Sequence, residues 1–230
     1  MKNLVFKVFQ ARRDKWLKKY LIKGRILEIG SGEGNFANAL KGNYEITCIE
    51  HPGAKINNRK VLKVDFLKWK THKKFDGVFF WESLEHVPTP VEYLKKSFNL
   101  LTDNGFLFIE LPRFDCLESR IFKKHWFHLD PPRHLVHITS SGLDGLFSRS
   151  GFMKIEKKDV FAVEYVLWGF LESFLDIIGI KSTDYFKKSK FPFFLLFLFP
   201  ILAFATVAEL FFFLIKESPI NFVVARKRNG

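Results

Sequence analysis

The sequence predicts an α/β fold, a mostly parallel sheet with helices on both faces. Short apolar runs recur between residues 25 and 112: "RILEIG", "YEITCIE", "KVLKVDF", "FDGVFF" and "FLFIELP". Each reads as a strand. Helical patterns fall between some of them, the clearest being "PVEYLKKSFNLL" (90–101), where Val91, Leu94, Phe98 and Leu101 share one face. Apolar strands alternating with helices are what a parallel sheet covered on both sides requires.

The elements follow in order. Residues 1–24 read as a basic amphipathic helix that either packs on the domain or lies on a membrane. With no long apolar stretch and no small-residue cleavage site, this segment is not expected to be a signal peptide. The first strand begins at residue 25 and leads into a glycine loop and a helix over 35–41. Strands over 44–50 and 60–66 both carry an acid at or near the end, Glu50 and Asp65. The helix over 90–101 is expected to stop at Asp103-Asn104-Gly105, ahead of a strand over 106–112. A loop rich in His, Trp, Arg and Pro occupies 113–139, followed by a helix to about 149 and a strand over 152–159. Another strand closes the chain at 220–227. The expected division is an N-terminal helix (1–24), a core (25–160), an apolar insertion (161–218), and a last strand with a basic tail (219–230).

Composition narrows the function classes. The net charge of +13 favours contact with anionic surfaces. No RNA-binding signature is present, so nucleic acid is not the expected partner and a membrane surface is. Phe is unusually abundant, with 29 residues. The two cysteines, Cys48 and Cys116, lack metal-ligand spacing, and Cys48 reads as a buried thiol in a reducing compartment.

The stretch "ILEIGSGEGNFANAL" (26–40) carries the chemistry. Glycines let a backbone approach a ligand closely, and the helix start behind them offers free N–H groups. Glu50 lies 20 residues after Gly30, where a carboxylate can take ribose hydroxyls. A dinucleotide site would need a GxGxxG pattern, whereas this loop is GxGxG with Asn35 at the third glycine position. The acid Glu28 ahead of the loop suits a cationic ligand better than a pyrophosphate. Spacing therefore favours an adenosyl ligand without pyrophosphate over a dinucleotide.

"LEIGSGEG" resembles motif I of the class I S-adenosylmethionine-dependent methyltransferases. "FDGVFFWESLEHVPTPVEYLKKSFNLLTDNGFLFIELP" is similar to the middle of that fold, in the branch that includes ubiquinone-biosynthesis O-methyltransferases. "WFHLDPPRHLVHITSSGLDGLFSRSGF" resembles a segment of bacterial methyltransferases linked to polysaccharide or lipid pathways. The resemblance implies a Rossmann-like sheet of seven strands, with S-adenosylmethionine as cofactor. It implies that Gly30 and Gly32 line the methionine part, that Glu28 holds the loop or the ammonium side, and that Glu50 takes the ribose hydroxyls. Asp65 would accept from the adenine amino group with Phe66 beside the ring, and Trp81 and Glu82 would close the site. Rival readings are a dinucleotide-dependent oxidoreductase and a non-catalytic membrane scaffold with this fold.

Glu82, Glu85 and His86 fall at i, i+3 and i+4, one face of a helical turn. Such a trio can hold a divalent cation, but no metal is expected here, and the trio stands only as a weak candidate. An alcohol acceptor needs its proton removed. His86, His134 and Glu85 are the catalytic candidates, with His125, His128 and His137 also in or near the aromatic loop. Arg133 is a candidate for binding an anionic substrate group, and Trp126 for contacting the substrate or bracing the loop.

Residues 191–208 carry no charge, which is 18 residues, the minimum for a helical span. If the strands at 152–159 and 220–227 share one sheet, both flanks of the insertion lie on one side of a membrane and the crossings must be even. Glu164, Glu172 and Asp176 put an acidic stripe on the other candidate helix, and four lysines lie at 181–190, both unfavourable for spanning. The expectation is a re-entrant or interfacial helical hairpin bent near Pro200. A soluble helical cap, a dimer interface and a spanning hairpin remain alternatives. The whole reads as a methyltransferase on the cytoplasmic face of a membrane, acting on an oxygen of a lipid-linked or amphipathic acceptor.

Overall fold

In the computed structural model the described residues are 2–40, 42–161, 163–179 and 191–228. The lysine-rich stretch 181–190 lies outside them. The chain divides into two compact units. The first comprises Met1–Leu111, Ser141–Lys158 and Phe222–Gly230, and the second Pro112–Ser140 and Asp159–Asn221.

The first unit is built on β1 (Lys23–Ile29), β2 (Asn43–Glu50), β3 (Val61–Lys63), β4 (Phe75–Trp81), β5 (Leu101–Pro112), β6 (Phe152–Asp159) and β7 (Ile220–Lys227). They form one sheet in the order β3-β2-β1-β4-β5-β7-β6. The pairs β1–β2, β1–β4, β2–β3 and β4–β5 are all parallel. The end of β7 meets the start of β6, Arg228 N donating to Gly151 O at 2.9 Å, so these two run antiparallel. The last strand therefore returns to the sheet, as the sequence predicts, and the result is the Rossmann-like seven-stranded fold expected.

Around the sheet lie α1 (Lys2–Lys18), α2 (Asn35–Ala39), α3 (Pro90–Leu100) and α5 (Ser140–Ser150). Proline at the first position of α3 costs no hydrogen bond there, and Glu92 in the first turn suits the helix dipole. Leu94 and Leu100 are buried, giving α3 its core face. The expected stop at Asp103-Asn104-Gly105 differs in the structure: β5 already begins at Leu101. A register shift absorbs these residues, Phe75 pairing with Leu101 and Gly77 with Phe106. Helix α1 packs on its unit, burying Phe9 and Leu17 and stacking Trp16 on Phe222 with ring centroids 4.3 Å apart. The core is aromatic, with Phe79 stacked on Phe108 at 4.5 Å.

The second unit holds α4 (Leu117–Phe122), α6 (Val163–Ile177) and α7 (Phe191–Leu214). Residues 112–140, expected with the core, group instead with the apolar insertion. The reason is packing: Cys116, Phe122 and Trp126 share one buried cluster with Phe170, Ala205 and Phe212. Arg113 ties the base of this unit together. It is 5% exposed and reaches Asp159 at 3.4 Å, Glu217 at 2.5 Å and the Lys216 carbonyl at 2.8 Å. The bend expected at Pro200 does not divide the apolar run into two helices; α7 is continuous through it. A proline in mid-helix forfeits one backbone hydrogen bond, and the turns on either side are kept. The hairpin partner of α7 is α6, with Phe170 and Phe204 in edge contact at 6.0 Å.

Candidate active site

The carboxyl ends of β1, β2 and β4 assemble the site in the first unit, where open α/β sheets bind ligands. Gly30, Gly32 and Gly34 adopt φ of 73°, 54° and 70°. At Gly30 a Cβ would lie 2.4 Å from Cβ of Ser83, so this glycine allows two backbones to close up. Ser83 Oγ then donates to Ile29 O at 2.7 Å, tying the loop to the end of β4. At Gly32 a Cβ would meet nothing within 4 Å. That side of the loop is open.

Glu50 braces the loop from β2. Its Oε2 accepts from Gly32 N and its Oε1 from His51 N, both at 2.7 Å. A carboxylate offers about four acceptor positions, so room for a pair of hydroxyls remains. Glu28 is buried, with Cys48 Sγ 3.7 Å from its Oε2. Burial pushes its carboxyl up to about 8, against the pull of Arg13. Beyond the glycines, Glu33 accepts from Asn57 N at 3.0 Å and Asn58 N at 3.2 Å, holding the segment after β2. Asp65 caps its own turn, Oδ1 accepting from Leu67 N at 2.9 Å. Phe66 is buried against Tyr93 at 5.3 Å, with the Lys96 ammonium 5.2 Å above its ring.

At the end of β4, Trp81 is buried and its indole N–H has no hydrogen-bond partner. Glu82 has φ 49° and donates its N–H to Glu110 O at 2.7 Å. Leu84–His86 form a single 3₁₀ turn in which Glu85 is buried and His86 exposed. The single helical face expected for Glu82, Glu85 and His86 does not form. The left-handed residue at Glu82 breaks the turn before it starts, and Glu82 does not join the ligand atoms of Glu85 and His86. Burial first, and the charge of Glu82 second, hold Glu85 well above the usual carboxylate range.

Two residues of this site escape the sequence reading. Arg13, from α1, donates to Glu110 Oε1 through Nη2 at 2.6 Å and Nε at 3.2 Å. Its guanidinium lies 3.8 Å from the Phe9 ring centre and 4.6 Å from that of Trp81. Glu110 is fully buried near the end of β5, with Arg12 3.8 Å from its Oε2. The signal was available: an acid inside "FLFIELP" is the same anomaly that singled out Glu28 in "ILEIG".

The remaining candidates belong to the second unit. Trp126 is 2% exposed and sits in that unit's hydrophobic cluster, which makes it a packing residue and not a surface for substrate. Arg133 is exposed and pairs with Asp130 at 2.6 Å. His134 Nδ1 donates to His128 O at 2.7 Å, and its Nε2 lies 3.8 Å from Asp130 Oδ2. His125 pairs with Asp176 at 2.6 Å. His128 is buried, and burial lowers its imidazole to about 3, so it is neutral.

Comparison with known proteins decides between the ligands. The sequence profile of a family described as a methyltransferase domain matches residues 5–157. The chain belongs to the methyltransferases. No curated protein matches it. Solved structures share the fold at low identity. A putative sarcosine dimethylglycine methyltransferase from Galdieria sulphuraria is 14% identical with a TM-score of 0.60, covering 96% of this chain and 86% of its own. A methyltransferase from Thermotoga maritima, titled a possible histamine N-methyltransferase, is 18% identical with a TM-score of 0.57, covering 98% and 92%. Phosphoethanolamine N-methyltransferase 2 from Haemonchus contortus, solved with S-adenosyl-L-methionine, is 18% identical with a TM-score of 0.59; this chain spans 53% of it. The methyltransferase uses S-adenosylmethionine as its methyl donor. The open side at Gly32 and the orphaned Trp81 N–H fit such a ligand, and the dinucleotide reading falls away. Among the described residues, no helix is long and apolar enough to cross a membrane.

Proposed function

We propose that this methyltransferase passes the methyl group of S-adenosylmethionine to an oxygen of a lipid-linked or amphipathic acceptor at the cytoplasmic face of a membrane. The resemblance to the ubiquinone-biosynthesis branch supports oxygen as the acceptor atom. The observation that carries the membrane context is the exposed face of α7. Its one acid, Glu209, is 1% exposed, while Phe204, Val207 and Leu214 are each about two-thirds exposed, at 66%, 67% and 68%. A helix in contact with water buries its apolar face and shows its charges. This helix buries its acid together with Ala205 and Phe212 and still leaves Phe204, Val207 and Leu214 exposed, as a helix facing hydrocarbon would. On α6, Trp168, Phe174 and Ile177 add to the exposed apolar surface. The net charge of +13 would draw such a surface to anionic lipid.

Within the first unit, His86, exposed in the turn after β4, is the candidate base. Burial keeps the neighbouring Glu85 carboxyl protonated, so it is not the proton acceptor. With the cofactor bound, its methyl would pass from sulfur to the acceptor oxygen as the O–H proton passes to His86, leaving S-adenosylhomocysteine. Displacement at a methyl group is in-line, so positioning supplies much of the rate.

Vesicle co-sedimentation tests the membrane reading. Wild type should pellet with vesicles of phosphatidylcholine and phosphatidylglycerol, and a Phe204→Ser/Leu214→Ser double variant should stay in the supernatant with its fold intact. Wild type remaining soluble, or dimerising through this face instead, would refute it.

A further inference from the structure

The second unit contains a polar cluster that methyl transfer does not use. Glu118 on α4 and Glu209 on α7 are 0% and 1% exposed, within an apolar helical unit. Both oxygens of Glu118, Oε1 of Glu209 and Nε1 of Trp126 are buried without a hydrogen-bond partner. The Trp126 indole faces Glu118 without a well-formed hydrogen bond. Two carboxylates cannot share such a place fully charged, because each needs water or a cation that the cluster does not supply.

Among the described residues, no neighbouring group provides that charge. At the start of α4 the Cys116 thiol is pushed by burial up to about 12 and is neutral. His128, after Trp126, is neutral as well. Arg113 is committed to Asp115, Asp159 and Glu217. On α6, Glu172 is half-buried and Asp176 is exposed and paired with His125. Arg120, Lys123 and Lys124 point to solvent.

We propose that the two buried carboxyls Glu118 and Glu209 form a pH-sensitive lock on α7, each holding its own proton. While the pair holds its protons, α7 lies against α4 and α6 with Phe204, Val207 and Leu214 turned outward. When the pair ionises, α7 comes away from the unit and the ordered apolar face is lost. Burial supports this: it raises Glu118 to about 8, and raises Glu209 to about 9 with Glu118 as a further cause.

The sign of the linkage follows. The docked state binds more protons than the undocked one, so docking is strongest at acid pH. It weakens as pH rises above the ordinary carboxylate value near 4.5 and levels off above about 9. Each retained proton makes the opening constant of α7 rise about tenfold per pH unit inside that window. Resting on the membrane reading, the lock has a use. An anionic surface at about −30 mV lowers the local pH by roughly half a unit, so docking is favoured at the membrane.

Hydrogen exchange of α7 amides, corrected for the intrinsic rate and taken between pH 6 and pH 9 without lipid, tests the lock. In wild type the protection of α7 should fall steeply over this range, while that of β4 and β5 stays level. Glu209→Gln and Glu118→Gln should each reduce the α7 slope, and the double variant should flatten it. Wild-type α7 protection that ignores pH, or slopes unchanged in both variants, would overturn the lock. The same proteins are then sedimented with the mixed vesicles at both pH values. Wild type should bind more at pH 6 than at pH 9, and the double variant equally at both. A steep exchange profile with no vesicle binding would keep the lock and refute the membrane reading.

Discussion

The three glycines of the loop do different work, and replacing two of them by alanine should separate folding from cofactor binding. Gly30 and Gly32 both have left-handed backbone, φ 73° and 54°. Alanine there costs about 1–2 kcal/mol from conformation alone. At Gly30 the new Cβ would also lie 2.4 Å from Ser83 Cβ, a contact with no flexible end to move aside. Overpacking of this kind adds about 1–3 kcal/mol, and shifting Ser83 endangers its bond to Ile29. Gly30→Ala should therefore lose about 2–5 kcal/mol of stability in urea unfolding. Gly32→Ala meets nothing within 4 Å and should lose only the conformational share. Its Cβ enters the space assigned to the cofactor, so calorimetry with S-adenosylmethionine should show at least a tenfold loss of affinity, about 1.4 kcal/mol. A stable Gly32→Ala protein that binds the cofactor like wild type would refute the placement of the ligand on this side of the loop.

Further substitutions probe the remaining electrostatics. Arg13→Met leaves buried Glu110 with the more distant Arg12, 3.8 Å away, in place of its bidentate partner, and should cost up to about 3–5 kcal/mol in unfolding; adding Glu110→Gln should recover a large part, and a purely additive double variant would contradict the pairing. Burial raises Glu28 to about 8 from the ordinary carboxyl value near 4.5, so it stays protonated in the fold. Stability should fall by a few kcal/mol as pH rises through that window, and Glu28→Gln should flatten the slope in thermal melts across it. Asp176→Asn breaks a surface pair with His125 and should change stability by no more than about 1 kcal/mol; a larger loss would mean that the pair anchors α6.

Local pattern and glycine spacing make the sheet legible before any coordinates. Strand runs, the GxGxG loop and the acid at the end of β2 are short-range signals, and the return of β7 follows from strand pairing. Distance in sequence hides the rest. Arg13 and Glu110 are 97 positions apart, and nothing in "ARRD" says which arginine turns inward. Trp126 reads as a loop aromatic free to touch a ligand, yet tertiary packing with Phe170 and Phe212 takes it into a core. Glu82, Glu85 and His86 have helical spacing, but one residue with positive φ removes the helix that spacing assumes. Glu209 stands out in the sequence as a break in an apolar run; only the fold shows that the acid faces inward while Phe204 and Phe211 face outward.

Transfer of labelled methyl tests the central claim most directly. The protein is incubated with methyl-labelled S-adenosylmethionine and a host extract, and the products are divided between organic and aqueous phases. The account predicts label in the organic phase, bound to oxygen, and much less of it with Gly32→Ala. Label confined to water-soluble acceptors would contradict it.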